Sequence, residues 1–234
     1  MKGNCTWAAA IIALGIVSLG RSINHGLNDF ANKDRKVNVK GLAEKEVEAD
    51  KVTWPIVSKE LGNDLPSLYD KIAVTQGKIK AFLMRNGIKA DELTENPPQV
   101  ADLQAREYGD NNKPYRYIVT SVITVTSKQV KQVRQIIARQ GDLLKEGVAI
   151  VDGGYENPVK YEFVAFQEMK PKMMQEAIEN AEKTAQQFAE NSHSKLNKII
   201  SADQGQFSIE NRDSNTPYIK KVRVVTTVTY SLKD

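Results

Sequence analysis

Two histidines and one cysteine are all the imidazoles and thiols in this 234-residue chain. Cys5, His25 and His193 cannot build a Cys- or His-based zinc site, a CxxC redox pair, an H-E-x-x-H motif or a His-based triad. His193 stands in Asn191-Ser192-His193-Ser194, just past an expected helix end, and reads as a solvated or capping residue. His25 sits in a polar stretch and reads as solvated. No G-x-x-x-x-G-K-[ST] loop and no G-x-S-x-G elbow is present. Asp152-Gly153-Gly154 is a glycine pair in a turn, too short to cradle a phosphate. Carboxylates are abundant and none is singled out by spacing, so a carboxylate-dependent hydrolase stays open as a third reading. Lys128, Lys131 and Arg134 fall on one side of an expected helix, where they would reach phosphates or simply form a solvated face, and the second reading is favoured. The sequence thus assigns no catalytic residue, no metal ligand and no cofactor.

Hydrophobic residues make up 41% of the chain and charged residues 26%, as in soluble globular proteins. That excludes a wholly disordered chain, a collagen-like fibre and a polytopic membrane protein. The formal net charge is +4. Lys2, Arg21, Lys33, Arg35 and Lys36 against Asp29 and Asp34 place most of that excess before Val37. The rest is nearly neutral, which removes the simplest support for a nucleic-acid partner.

Residues 7–19 (WAAAIIALGIVSL) carry no charge and are followed by Gly20 and Arg21. A spanning helix needs about 20 apolar residues, a length this run reaches only if Ile23 is counted and Arg21 snorkels. One reading is a secretory signal peptide, with Lys2 as its basic start and Ser18-Leu19-Gly20 as the cleavage site. The other is an uncleaved anchor, and a buried core helix is the bland alternative. Positive charges on both sides leave the orientation open. Cys5 precedes the apolar run, whereas a lipoprotein cysteine follows it. The expectation is therefore an anchor or signal peptide over residues 1–21, a polar spacer over 22–36 and a folded domain over 37–234. That places the domain in the periplasm, tethered to a bacterial inner membrane, or soluble there if the leader is cleaved.

Within the domain, Val37, Val39, Gly41 and Ala43 alternate with polar residues, as do Val52, Trp54 and Ile56, giving two strands separated near Ala49-Asp50. Pro55 argues for an edge or a bulge in the second. Asn63-Asp64 and Pro66 start a helix with Leu68, Ile72, Ile79 and Leu83 inward, ended by Asn86-Gly87. An extended stretch over 93–107 is interrupted by Pro97-Pro98, and 110–114 form a turn. Residues 117–126 (YIVTSVITVT) are the clearest strand. Ser127 caps a second helix, with Val130, Val133, Ile137 and Leu144 inward, ending near Gly147. Residues 161–166 alternate as a strand. Pro171 opens a third helix whose Met174, Ile178, Ala181, Ala185 and Phe188 line one face against a sheet. Strands over 198–210 and 222–232 close the chain.

Pro114-Tyr115 followed by Val119, Val122, Thr124, Val125 and Thr126 echoes Pro217-Tyr218 followed by Val222, Val225, Thr227, Val228 and Thr229. The constant offset points to a duplicated helix–strand–loop–strand unit. The expected fold is α+β, with mostly antiparallel sheets, three main helices, that duplication and an N-terminal apolar helix.

Over residues 36–234 the chain resembles the SIMPL-domain family of bacterial envelope proteins. The resemblance rests on residues 37–44 (VNVKGLAE) with Val47 and Asp50, on Asn86-Gly87-Ile88, on the alanine-rich helix over 177–189 and on the closing 221–230 (KVRVVTTVTY). Ala49-Asp50 departs from the Pro-Asp common in members, and the apolar leader fits exported relatives rather than cytosolic ones linked to kinase signalling. The resemblance implies an α+β fold, self-assembly into homo-oligomers and a role in envelope or oxidative stress tolerance, with no catalytic residues to carry over. The leading expectation is a non-enzymatic, membrane-tethered envelope protein whose partner is itself. The alternative is a periplasmic module that binds a small molecule or peptide.

Overall fold

The alternation that begins at Val37 builds two long strands in succession, β1 (Lys36–Glu48) and β2 (Lys51–Gly62), with the break at Ala49-Asp50. The structure, a computed structural model, describes residues 3–32, 35–105 and 114–233. Ahead of β1 runs one helix, α1 (Gly3–Asn32), which continues past the apolar run and through most of the polar segment after it. The side chains of Cys5 and His25, and of the start of the apolar run, lie outside the described residues. So does most of the turn expected over 110–114. Two compact units follow from the chain path, and each mixes early and late segments.

The unit built from Glu46–Gln167 and Ile209–Lys221 is organised on β2. After it come α2 (Leu65–Arg85), β3 (Leu93–Glu95), β4 (Gln99–Asp102), β5 (Tyr117–Ser127), α3 (Val130–Ala138), α4 (Gly141–Lys145), β6 (Ile150–Val151) and β7 (Lys160–Glu162). The sheet runs β3–β5–β2–β6, with β4 also on β5 and β7 also on β2, all antiparallel. Asp64 caps α2 by accepting from the Ser67 amide at 3.0 Å. The expected stripe of Leu68, Ile72, Ile79 and Leu83 is buried. The helix stops where Gly87 adopts φ 89° and the Ile88 amide donates to the Leu83 carbonyl, a Schellman closure. Val52, Trp54, Ile56, Ile123 and Val125 of the sheet form one core with Ile79, Phe82 and Leu83 of α2 and Val133, Ile136 and Leu143 of α3 and α4.

Three expectations are corrected here. β2 is central rather than an edge, and its register with β5 runs through Pro55 opposite Thr124 without a bulge. The proline is accommodated because β7 covers only Lys51 to Thr53 on the other side and β6 only Val57 and Ser58. The second helix is broken between α3 and α4, and the break shifts the phase: Ile136 and Leu143 are buried while Leu144 is exposed. The strand expected over 161–166 is confined to β7, and Phe166 already belongs to the next helix.

The unit built from Met1–Lys45, Glu168–Ser208 and Val222–Asp234 contains most of β1, of α5 (Phe166–Asn191) and of β10 (Ile219–Lys233) and all of β8 (Lys195–Asp203), with β9 (Phe207–Asn211) on its border. Its sheet runs β1–β10–β8, and β9 also pairs β10. Helix α5 starts five residues before Pro171, which lies inside it. Its start is set by Asp50, whose carboxylate accepts from the Val164 and Ala165 amides at 2.6 and 2.7 Å. Its buried stripe is Met173, Ala177, Ala181, Ala185 and Ala189, whereas Ile178 and Phe188 are exposed. The face was expected at alternating spacings of four and three. The true line advances by four, and from 177 to 189 it is alanine, with Gly41 of β1 lying against Ala177 and Ala181.

The duplication is visible in both sheets. In each, the last strand of the repeat lies between the opening strand and the strand that follows the helix: β5 between β2 and β3, β10 between β1 and β8. Buried positions 119, 121, 123, 125 and 127 of β5 recur at the same offset as 222, 224, 226, 228 and 230 of β10. The strand after the helix is interrupted in both copies, at Pro97-Pro98 between β3 and β4 and at residues 204–206 between β8 and β9. The fold is α+β with antiparallel sheets.

Candidate functional site

A proline inside a central strand leaves a local gap in the ladder, and the gap of β2 at Trp54 to Ile56 is where the structure opens. Between β6 and β7 the chain leaves β2 as a loop over residues 152–159 and then returns. Beneath it lies a cavity of about 370 Å³ lined by Trp54, Pro55, Ile137, Gln140, Ile150, Val151, Asp152, Gly153, Asn157, Pro158 and Val159. Asp152 and Gly153, read from sequence as part of a simple turn, form one wall. The Gly154 amide donates to the Asp152 carboxylate at 3.2 Å. A β-carbon on Gly153 would come within 2.3 Å of the Asn157 carbonyl oxygen, so the loop closes only with glycine there. The lining is mostly apolar, its polar side chains are Gln140, Asp152 and Asn157, and it holds no lysine or arginine.

Lys128, Lys131 and Arg134, weighed as phosphate contacts, do not converge on an anion site. Lys131 pairs with Glu48 at 3.1 Å. The Arg134 guanidinium lies 3.2 Å from the Tyr218 ring centroid, and Tyr161 meets Tyr218 edge-on at 6.2 Å and 69°. Burial raises the Tyr161 pKa. This stack fastens residues 209–221 to α3 and leaves the guanidinium committed. Lys128 is exposed.

His193 is the C-terminal cap of α5. It holds φ 54°, its amide donates to the Glu190 carbonyl, and the Ser194 amide donates to Ala189 at 2.8 Å. That is the geometry of Gly87, achieved without a glycine. Among the described residues no Asp or Glu is buried, and no group of His, Cys, Asp or Glu is placed to hold a metal ion. Among the described residues Lys220 is the charged residue that is buried; it donates to Asn211, and burial lowers its pKa.

The other unusual surface is α1. Ile12, Leu14, Ile16, Val17, Leu19, Ile23 and Leu27 are each more than half exposed. Among the described residues no helix is long and apolar enough to cross a membrane.

The family described as SIMPL, protein of unknown function (DUF541), matches residues 37–230. The match begins at the opening of β1 and ends in β10, the stretch whose motifs carried the resemblance. No curated protein matches the chain.

Proposed function

We propose, from the premise that this chain belongs to the SIMPL family, that it is a non-enzymatic cell-envelope protein. It is exported, tethered to a membrane through α1, and assembles with copies of itself in a role in envelope or oxidative stress tolerance. One observation carries the reading: the run of large apolar side chains that α1 holds in water. Burying a valine, leucine or isoleucine side chain gains about 1.5–3 kcal/mol, so seven such residues on one helix strongly favour an apolar environment. Scattered exposed leucines need no explanation, but a contiguous set does.

The test is fractionation of the full-length protein. It should stay with membranes through alkaline carbonate extraction and keep its N-terminal mass, and in detergent its mass should exceed that of a monomer. A mature chain beginning near Arg21 would defeat the tether.

A second reading, a module that binds a small molecule or peptide, is favoured by the cavity beside Trp54, whose volume falls within the range of ligand pockets. Quenching or shift of Trp54 fluorescence on titration with small amphipathic amines, with Trp7→Phe as background, would support it. An unchanged spectrum would count against it.

A further inference from the structure

Helix α1 carries its apolar residues in two different ways. Up to Leu19 they occupy both sides of the helix, and beyond Gly20 they keep to one side. At about 3.6 residues per turn, Ile12, Ile16, Leu19 and Ile23 fall in one stripe about 60° wide, while Leu14, Val17 and Arg21 stand on the other side. The stripe advances by four, three and four residues, the heptad rhythm of a helix that packs along another helix. A bilayer accounts for Leu14 and Val17, which belong to the uncharged run. It does not account for Ile23 and Leu27, 54% and 62% exposed, because Arg21, Ser22 and Asn24 around them are polar and exposed as well. The stripe leaves the apolar run and keeps its line, as a surface for a partner that follows the helix out of the lipid.

We propose that α1 pairs in parallel, residue for residue, with α1 of a second copy of this chain. The proposal rests on the tether and self-assembly readings and adds the surface and the register. Tethered copies enter the bilayer in one direction, so their helices meet with the same end outward, and a two-fold axis between them gives both chains the same contact. In that register Ile16 faces Ile16, Leu19 faces Leu19 and Ile23 faces Ile23. Ile16 and Ile23 take one core position of the heptad and Leu19 the other, the choice that favours two strands. Gly15 and Gly20 flank the stripe on either side, and a β-carbon on each would meet nothing within 4 Å, which lets two backbones approach closely. An antiparallel pair would set the polar half of one helix against the apolar run of the other. Gly26 falls on the stripe one turn after Ile23, also with nothing within 4 Å of a β-carbon, so one place in the seam lacks a side chain.

The experiment uses the full-length protein in detergent, with association followed by light scattering over a range of concentrations. Gly26→Leu fills the empty place and should lower the concentration at half-association about tenfold. Asn24→Leu adds the same side chain off the stripe and should leave it unchanged. Ile23→Asp should raise it by at least about tenfold without releasing the protein from membranes in alkaline carbonate. Ile23→Cys on a Cys5→Ser background should form a disulfide-linked dimer under mild oxidation, and Asn24→Cys should not. These positions precede the domain that begins at β1, so its unfolding midpoint should stay where it is in every variant. Wild-type assembly in which Gly26→Leu and Asn24→Leu act alike and Ile23→Cys gives no cross-link would overturn the α1 pairing and leave self-assembly standing. Cross-linking of Ile23→Cys to Ile12→Cys rather than to itself would overturn the parallel register. Release of the wild type by carbonate together with the Ile23→Cys cross-link would remove the tether and support the pairing. A wild-type monomer at every concentration would overturn pairing and self-assembly together.

Discussion

Gly41 of β1 lies so close to α5 that a β-carbon built on it would stand 1.8 Å from the Ala177 carbonyl oxygen and 2.6 Å from the Ala181 nitrogen. The obstruction is backbone, which cannot rotate away as a side chain would. Gly41→Ala should therefore destabilise the protein by about 3 kcal/mol, the upper end for an overpacked site. Urea unfolding gives the value, and an unchanged midpoint would mean that α5 does not seat on β1 as described.

The same seat separates two neighbouring positions on α5. Ala181 is fully buried, and Ile178 is more than one-third exposed. Ala181→Asp should cost about 3–5 kcal/mol, as expected for an unpaired buried charge, whereas Ile178→Asp should stay within about 1 kcal/mol. Thermal melts of the two variants decide between this face and the one suggested by a four-and-three spacing. Equal losses would restore the latter.

Arg134 and Lys131 should likewise separate. Removing the guanidinium stacked on Tyr218 with Arg134→Ala should cost about 1–2 kcal/mol. Lys131→Ala, which breaks an exposed pair with Glu48, should cost no more than about 0.5 kcal/mol. A larger loss at Lys131 than at Arg134 would contradict the stack as the fastening of residues 209–221.

Asp213 gives a pH prediction. Its carboxylate accepts from the Thr216 hydroxyl, from Arg212 Nε at 3.0 Å, and from the amides of Asn215 and Thr216 at 2.8 and 2.7 Å. The Thr216 bond is the chief cause that lowers its pKa from 3.8 to about 2. A carboxylate depressed by folding contributes stability that is complete above its unfolded value and is lost as pH falls through the folded one. The Asn215 and Thr216 amide resonances should hence titrate with a midpoint near 2. A midpoint near 4 would show that the turn does not hold the carboxylate.

Much of the fold is legible in the residues. Asp64, the Leu68–Ile72–Ile79–Leu83 spacing and Asn86-Gly87 define α2 because cap, stripe and stop agree locally. The echo between β5 and β10 is legible because equivalent strands bury equivalent positions. What fails is what depends on a distant partner. The stripe of α5 is chosen by Gly41 on β1, far away in sequence, and its start by Asp50 rather than by Pro171. The cavity beside Trp54 leaves no motif, since it arises from a loop that departs from β2 and returns to it. A proline in β2 marks the place, but only the flanking reach of β6 and β7 turns that mark into a gap.

The Leu232 amide donates to the Arg35 carbonyl at 2.9 Å, a closure that spans almost the entire domain. Bringing such remote segments together carries a large loop-closure cost and slows folding. A chain emerging from its N-terminus can complete the β2–β5 sheet long before β10 exists, so β1 must wait with both edges bare. The strands of the β2–β5 sheet are thus all present in the chain before the terminal strands can be sealed. Until β10 arrives both edges of β1 are open to other strands, and its arrival ends competition for one of them.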